Sequence, residues 1–200
     1  MKTSIKTLIA SALSAIVLST TLLATTASAD ERKPVKVSTV ASFKRISVKG
    51  NVEVMLVQRS TTGVSYTEDN SGTAKIMQDG DLLKISSSDK SPVKLVVYVN
   101  DIFRIEASDN AVVKTNEKLN AKYLQVFLKG NAKADLNIST EGLYTVIRDE
   151  ADLRLSGSTD VHTLIMSKTP KLTIDCFAAL KTSISSVETD AVEKEVAVLR

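Results

Sequence analysis

The chain has 200 residues with 26 basic and 23 acidic side chains, one histidine and one cysteine. Two of the basic residues lie in the first 29, so the rest of the chain is nearly neutral, which argues against a nucleic-acid partner. The one cysteine, Cys176, excludes an internal disulfide, and we expect it to be a small buried apolar residue. A lone histidine with a lone cysteine does not supply the ligands of a metal site. The composition therefore predicts neither a metal nor a cofactor.

The first 29 residues have the pattern of an export signal. Lys2 and Lys6 precede an apolar segment, residues 8–24, and the Ala-Ser-Ala of residues 27–29 fits the small-x-small rule for cleavage. A retained transmembrane helix is the weaker alternative, because serines and threonines dilute the apolar segment. We expect a mature chain beginning at Asp30, exported to the periplasm or the cell surface, with no membrane span after cleavage.

Residues 30–42 are first charged and then alternating, which predicts a linker or an edge strand. A single domain is predicted over residues 43–200. Its first segment, residues 43–56, alternates apolar and polar positions on both sides of Gly50-Asn51, as two strands and a corner would.

An antiparallel strand section is predicted next, between the first corner and residue 99. Residues 63–66 indicate a hairpin return, and residues 73–78 a short helical or irregular piece that ends at the turn residues Asp79-Gly80. Residues 82–86 and 93–99 have strand patterns. The second of these is apolar on both faces, which favours a central position in a sheet.

From Phe103 onward one pattern recurs about every 19 to 21 residues, in fragments that start at Phe103, Leu124, Leu143 and His162. Within each fragment, every second residue belongs to the same face, which indicates strands. The repeat of the whole fragment at a near-constant interval indicates stacked copies of one unit. We predict an all-β fold: a parallel β-solenoid (β-helix) of short coils with the N-terminal antiparallel section. Leu128, Ile147 and Met166 should stack inward, and His162 occupies an apolar column, which favours a packed structural histidine.

One outward column is apolar in three of four copies, with Glu106 in the first copy and then Phe127, Val146 and Ile165. Such a regular apolar ladder needs a cover or a partner. Phe127, Val146 and Ile165 are therefore the candidate surface for interaction or for packing a lid. In the lid hypothesis, the N-terminal segment that contains the apolar strand of residues 94–99 folds over this column. In the alternative, a second copy or another molecule docks on it.

Catalytic motifs are sparse, and no catalytic residue is predicted. The sequence contains neither a G-x-S-x-G elbow nor a Gly-rich phosphate loop. Acidic residues at the corners (Asp109, Asp149 and Glu150) are typical turn formers. A polysaccharide-acting enzyme is only a minor alternative, because analogy of fold is not evidence of activity.

Several of these segments together resemble a known bacterial family. The export signal is followed by FKRISVKGNVEVML at residues 43–56, EDN at 68–70, DGDLLKI at 79–85 and the repeated units to about residue 186. This resembles the family of putative auto-transporter adhesins, head GIN domain. The resemblance implies an exported β-helical domain with an adhesive or cell-surface role, and it supplies no catalytic residues.

The predicted function is an exported, non-catalytic, adhesin-like binding module that presents flat stacked β faces to a cell-surface protein or glycan. The alternative is a structural cell-envelope protein that self-associates. Outward aromatic residues are few, so the sequence does not favour a glycan over a protein. Residues 187–200 alternate charged and small apolar residues, which predicts a polar cap or a short closing helix.

Overall fold

The computed structural model describes residues 36–38, 40–167 and 169–186, the first three by their backbone alone. Within these ranges the chain forms strands and connections and no helix. The strands are β1 (Lys36–Ser38), β2 (Arg45–Gly50), β3 (Val52–Gln58), β4 (Gly63–Tyr66), β5 (Lys75–Asp79), β6 (Leu82–Ser87), β7 (Val93–Val99), β8 (Arg104–Ser108), β9 (Val112–Thr115), β10 (Leu119–Leu128), β11 (Lys133–Ile147), β12 (Asp152–Met166) and β13 (Lys171–Ser186). The expectation of an all-β fold is confirmed.

All thirteen strands belong to one sheet of mixed orientation that curls at β11. The early part of β11 pairs in parallel with β9, and its later part pairs in parallel with β10. Two rows result: β4-β7-β3-β9-β11 and β5-β6-β2-β8-β10-β11. Strands β12 and β13 then extend the sheet beyond β11, each in parallel register. Both rows contribute apolar side chains to the same core cluster.

The 19-residue repeat corresponds to parallel strand pairing. Val126 lies beside Thr145, which lies beside Leu164, and Leu128 lies beside Ile147, which lies beside Met166. The side chains of these inward columns are buried, except that Met166 is only partly buried, and Ile147 is fully buried. Burial weakens in β13, where Leu172 is only partly buried and Ile174 is exposed. The core thus follows the alternation of the sequence until the last strand.

The corners between the two rows use left-handed backbone conformations. Asp109, Gly130 and Asp149 occupy equivalent corner positions with φ of 61°, 71° and 58°. Glycine and aspartate tolerate this region better than most residues, so these acidic residues are turn formers, as the sequence indicated. The Asp149 carboxylate also accepts a hydrogen bond of 2.9 Å from the backbone N–H of Gly130, which ties successive corners together.

The antiparallel strands lie at the early ends of the rows. β4 pairs antiparallel with β7, β1 with β4, and β5 with β6. β1 is an edge strand of the sheet. β7 lies between β3 and β4, which confirms its central position.

Two local predictions were wrong. Residues 75–79 form strand β5 instead of a helical or irregular piece, because they complete a hairpin with β6 through the turn at Gly80. Cys176, expected to be a small buried residue, is exposed. β13 has one extra residue opposite Ser156, and Cys176 takes a φ of 52° there, so the alternation beyond Ile174 is shifted.

The expected signal, residues 1–29, and the expected cap, residues 187–200, lie outside the described residues. Within the part of the chain that the structure describes, no helix long and apolar enough to cross a membrane is present.

Candidate functional site

The apolar ladder forms in register on the outer face of β10, β11 and β12. Phe127 pairs with Val146, Val146 pairs with Ile165, and Glu106 of β8 precedes Phe127 in the same column. The three apolar side chains form the floor of an open groove of about 440 Å³. Its walls include residues of the two neighbouring outward columns, among them Ser108, Lys129, Tyr144 and Arg148. The three residues that the sequence placed in one outward column therefore form one contiguous surface.

Aromatic and cationic groups fill one side of this ladder. The rings of Phe127 and Tyr144 are tilted at 54° with their centroids 5.9 Å apart. The guanidinium of Arg104 lies 5.0 Å from the centroid of the Phe127 ring, within the range of a cation–π contact. Its Nε donates a hydrogen bond of 2.8 Å to the side-chain oxygen of Gln125. Arg104 and Gln125 thus hold the Phe127 ring in place and cover part of its surface.

Two cations border the other side. Lys129 and Arg148 follow the last residues of β10 and β11, and both are exposed. Neither makes an ion pair with another residue among those described. Glu106, at the β8 end of the ladder, is paired with Arg104 at 3.4 Å. The groove therefore combines an apolar floor with a positive border.

Sequence reasoning missed the contribution of Arg104. Its position two residues before Glu106 places it on the outer face by alternation alone. What the sequence did not reveal is that parallel register brings it beside Gln125 of β10. The register also explains why Val146, in the middle of the ladder, is only 7% exposed although it points outward.

The lid hypothesis is not supported by the position of its strand. β7 is hydrogen-bonded along one edge to β3 and along the other to β4. None of its residues lines the groove. β7 therefore leaves the groove uncovered, as docking of another molecule requires.

A second, larger depression of about 810 Å³ lies at the corners of the early repeats. Its lining is polar and includes Lys49, Asn51 and Asp89. Local hydrogen bonds already use several of these groups: the Asn51 amide donates to the carbonyl of Lys90 at 2.8 Å, and the Asp89 carboxylate accepts from the N–H of Thr73 at 2.9 Å. We regard it as turn structure and the ladder groove as the better candidate.

His162 is a packed, hydrogen-bonded side chain. It is 1% exposed, and its Nε2 lies 2.9 Å from the hydroxyl oxygen of Thr145. The edge of its ring meets the ring of Phe177 with centroids 5.8 Å apart. Burial lowers the pKa of His162 below its ordinary value, because desolvation disfavours the imidazolium. This environment is that of a structural histidine.

We expect the free energy of unfolding to fall on acidification from pH 7.5 to 5.5, in part through His162. Its pKa is lower in the folded chain than in the unfolded chain. The unfolded chain therefore binds the proton first, and stability decreases as the pH falls below about 6.5, by at most about 1.4 kcal/mol per unit. Urea unfolding across this range should show a weaker pH dependence for His162→Gln, which keeps a polar partner for Thr145. An unchanged slope in the variant would contradict this assignment.

Comparison with known proteins agrees with the geometry. Residues 42–189 match the family model described as putative auto-transporter adhesin, head GIN domain. The fold is similar to that of a putative adhesin from Parabacteroides merdae, with a TM-score of 0.55, 15% identity, and coverage of 74% of this chain and 75% of that chain. A putative adhesin from Parabacteroides distasonis has a TM-score of 0.54, 14% identity, and coverage of 74% and 76%.

A putative lipid binding protein from Parabacteroides distasonis is also similar, with a TM-score of 0.53, 12% identity, and coverage of 74% of this chain and 75% of that chain. At these identities the three likenesses show a shared fold. The sequence matches no curated protein. The match over residues 42–189, which span most of the chain, shows that this protein belongs to the putative auto-transporter adhesin, head GIN domain family.

Proposed function

We propose that this chain is an exported, non-catalytic binding module that captures an extended segment of a cell-surface protein on the ladder of Phe127, Val146 and Ile165. The observation that carries the proposal is the in-register apolar ladder on an outer face, bordered by exposed cations. Contiguous apolar groups in an open groove mark interaction sites. Membership of an adhesin family supports export and a binding role.

The chemistry of the groove favours a protein segment with apolar and acidic side chains. Sugars bind best to open aromatic platforms, but the Phe127 ring is partly covered by Arg104 and tilted against Tyr144. One structural relative is called a putative lipid binding protein. Here the groove is open rather than an enclosed cavity, which suits side chains better than an acyl chain. Lys129 and Arg148 would add attraction for carboxylates.

We further propose that the repeats wind as a parallel β-solenoid, in which the two rows are the two faces of each coil. Parallel register at a near-constant offset and a shared core support this architecture. A solenoid would keep the outer columns flat and evenly spaced at roughly 4.8 Å per strand. A partner could then contact several copies at once.

The double variant Phe127→Ser, Ile165→Ser should abolish partner capture while leaving the chain folded. Neither side chain belongs to the buried core, so we expect a small change in melting temperature. The matched control is Val96→Ser, Val112→Ser, which removes two partly buried side chains from β7 and β9, outside the groove.

The measurement is site-specific photo-crosslinking in the envelope, with a benzophenone amino acid in place of Tyr144, which lines the groove, or, as control, in place of the exposed Tyr123, which does not. A defined protein adduct from position 144 alone supports the proposal if it persists in the Val96→Ser, Val112→Ser control. The adduct should be lost in the Phe127→Ser, Ile165→Ser variant and when Lys129 and Arg148 are changed to glutamate. Equal adducts from both positions, or binding of the purified chain only to glycan arrays or phospholipid vesicles, would refute a protein partner at the ladder.

A further inference from the structure

β13 is the last described strand and lies at one end of the sheet. It is 16 residues long and pairs on one side with β12, and no described strand pairs with its other side. Ile174, Leu180 and Ile184 are 50%, 86% and 68% exposed. The residues beside Ile174 and Ile184 on β12, Leu155 and Leu164, are buried. A long apolar edge of this kind is a template for another strand.

We propose that β13 pairs antiparallel with β13 of a second copy, so that two chains join end to end about a two-fold axis. The opposite ends of the two rows show that antiparallel strands fit on this stack. There, β5 covers β6 and β4 covers β7, both in antiparallel register. At the β13 end the equivalent position would be filled by the partner copy.

The later half of β13 is self-complementary about Thr182. With Thr182 opposite its counterpart, Leu180 of one copy faces Ile184 of the other, and the contact occurs twice because the interface is isologous. These are the two most exposed large apolar side chains in the described chain. Ile184 lies on the side of the strand that continues the core, since it pairs with the buried Leu164, whereas Leu180 lies beside the exposed Asp160. Pairing would therefore cover Ile184, at the end of the core, with Leu180 of the other copy.

Backbone directions agree with this register. In a parallel sheet, each residue directs both its N–H and its C=O to one neighbouring strand, and the next residue directs both to the strand on the other side. Ser167, an outward position after β12, donates its N–H to the carbonyl of Ile147 on β11. By the same alternation, Lys181 and Ser183 turn towards β12, while Leu180 and Thr182 turn their backbone groups to the free edge.

Charge complementarity supports the same axis in the earlier half of β13. If the two-fold axis passes beside Thr173, Lys171 of each copy lies opposite Asp175 of the other copy. Asp175 is 60% exposed, and its one ion pair is a 3.7 Å contact with Arg154 of β12. Thr173 and Thr182 are nine residues apart, about half of the 19- to 20-residue offset between β12 and β13. In the proposed coil they lie on opposite sides, so one axis can pass through both.

The register can be tested by disulfide trapping in the full chain, with Cys176→Ser as background. Lys181 and Ser183 of opposite copies would form a non-hydrogen-bonded pair, with Cα atoms about 4.5 Å apart, within the range of a disulfide. Chains with Lys181→Cys and chains with Ser183→Cys should link rapidly when mixed and slowly when separate. Equal rates in mixed and separate samples would overturn the register.

Association itself is tested by sedimentation of the unmodified chain at micromolar concentration. We expect a dimer, and Leu180→Lys with Ile184→Lys should produce a folded monomer whose melting temperature, unlike that of the unmodified chain, does not depend on protein concentration. Met77→Lys with Val161→Lys, which changes exposed apolar residues of β5 and β12, should remain dimeric. A monomeric unmodified chain, as expected if residues 187–200 cover the edge within one chain, would overturn the proposal. Phe127→Ser, Ile165→Ser should leave the dimer intact, so this test is independent of the groove.

Discussion

Ile147→Asp should prevent the chain from folding. Ile147 is fully buried between Leu128 and Met166, in the middle of three successive parallel strands. The substitution would remove a large apolar side chain, at about 2–5 kcal/mol, and would place a carboxylate in the core without a partner. The combined cost is comparable to the 5–15 kcal/mol that stabilises an ordinary domain. Circular dichroism and proteolysis should show an unfolded or aggregated chain.

Arg148→Asp is the matched control, because it introduces the same carboxylate one residue later. Arg148 is exposed on the outer face, so its replacement should change the free energy of unfolding by about 0.5 kcal/mol or less. A cooperative, near-wild-type melt for Ile147→Asp would mean that the inward and outward columns have been assigned to the wrong faces.

Alternation alone was sufficient to predict the repeat columns. Because the side-chain period of a strand is two, an apolar column that recurs at a constant interval can face only one way. The parallel pairing of Val126, Thr145 and Leu164 follows directly from that interval. The same logic located Phe127, Val146 and Ile165 on one outer column, although it did not show that Arg104 covers the Phe127 ring.

The failures occur where the chain departs from simple alternation. β5 is short and almost wholly exposed, and its two apolar residues, Ile76 and Met77, are adjacent rather than alternating, so only its hairpin pairing with β6 makes it a strand. Cys176 follows an extra residue in β13, and an insertion of one residue reverses the face of those after it. The lid hypothesis depended on which strands neighbour β7, which is a long-range pairing that local pattern does not encode.

Gly50→Ala should destabilise the chain far more than Gly80→Ala, although both replace a glycine with positive φ. Gly50 has a φ of 82° at the corner between β2 and β3, and a Cβ there would lie 2.0 Å from the carbonyl oxygen of Ser87. Gly80 has a φ of 59° in the β5–β6 turn, and a Cβ there would meet nothing within 4 Å. Both variants therefore incur the cost of a left-handed alanine, about 1–2 kcal/mol, but only Gly50→Ala must also displace a neighbouring backbone.

The difference in stability between Gly50→Ala and Gly80→Ala measures how tightly the corners of adjacent strands are stacked. We expect Gly50→Ala to lower the free energy of unfolding by about 3 kcal/mol or more. At about 2–4 °C per kcal/mol, the melting temperature should then fall by roughly 6–12 °C. For Gly80→Ala the expected fall is roughly 2–8 °C. Gly157→Ala should resemble Gly50→Ala, since its Cβ would lie 2.0 Å from the carbonyl oxygen of Ile138 at a φ of 98°. Differential scanning calorimetry of the three variants measures this directly. Equal shifts for Gly50→Ala and Gly80→Ala would show that the corner backbone yields, and that the close stacking of the β2 and β6 ends does not constrain the fold.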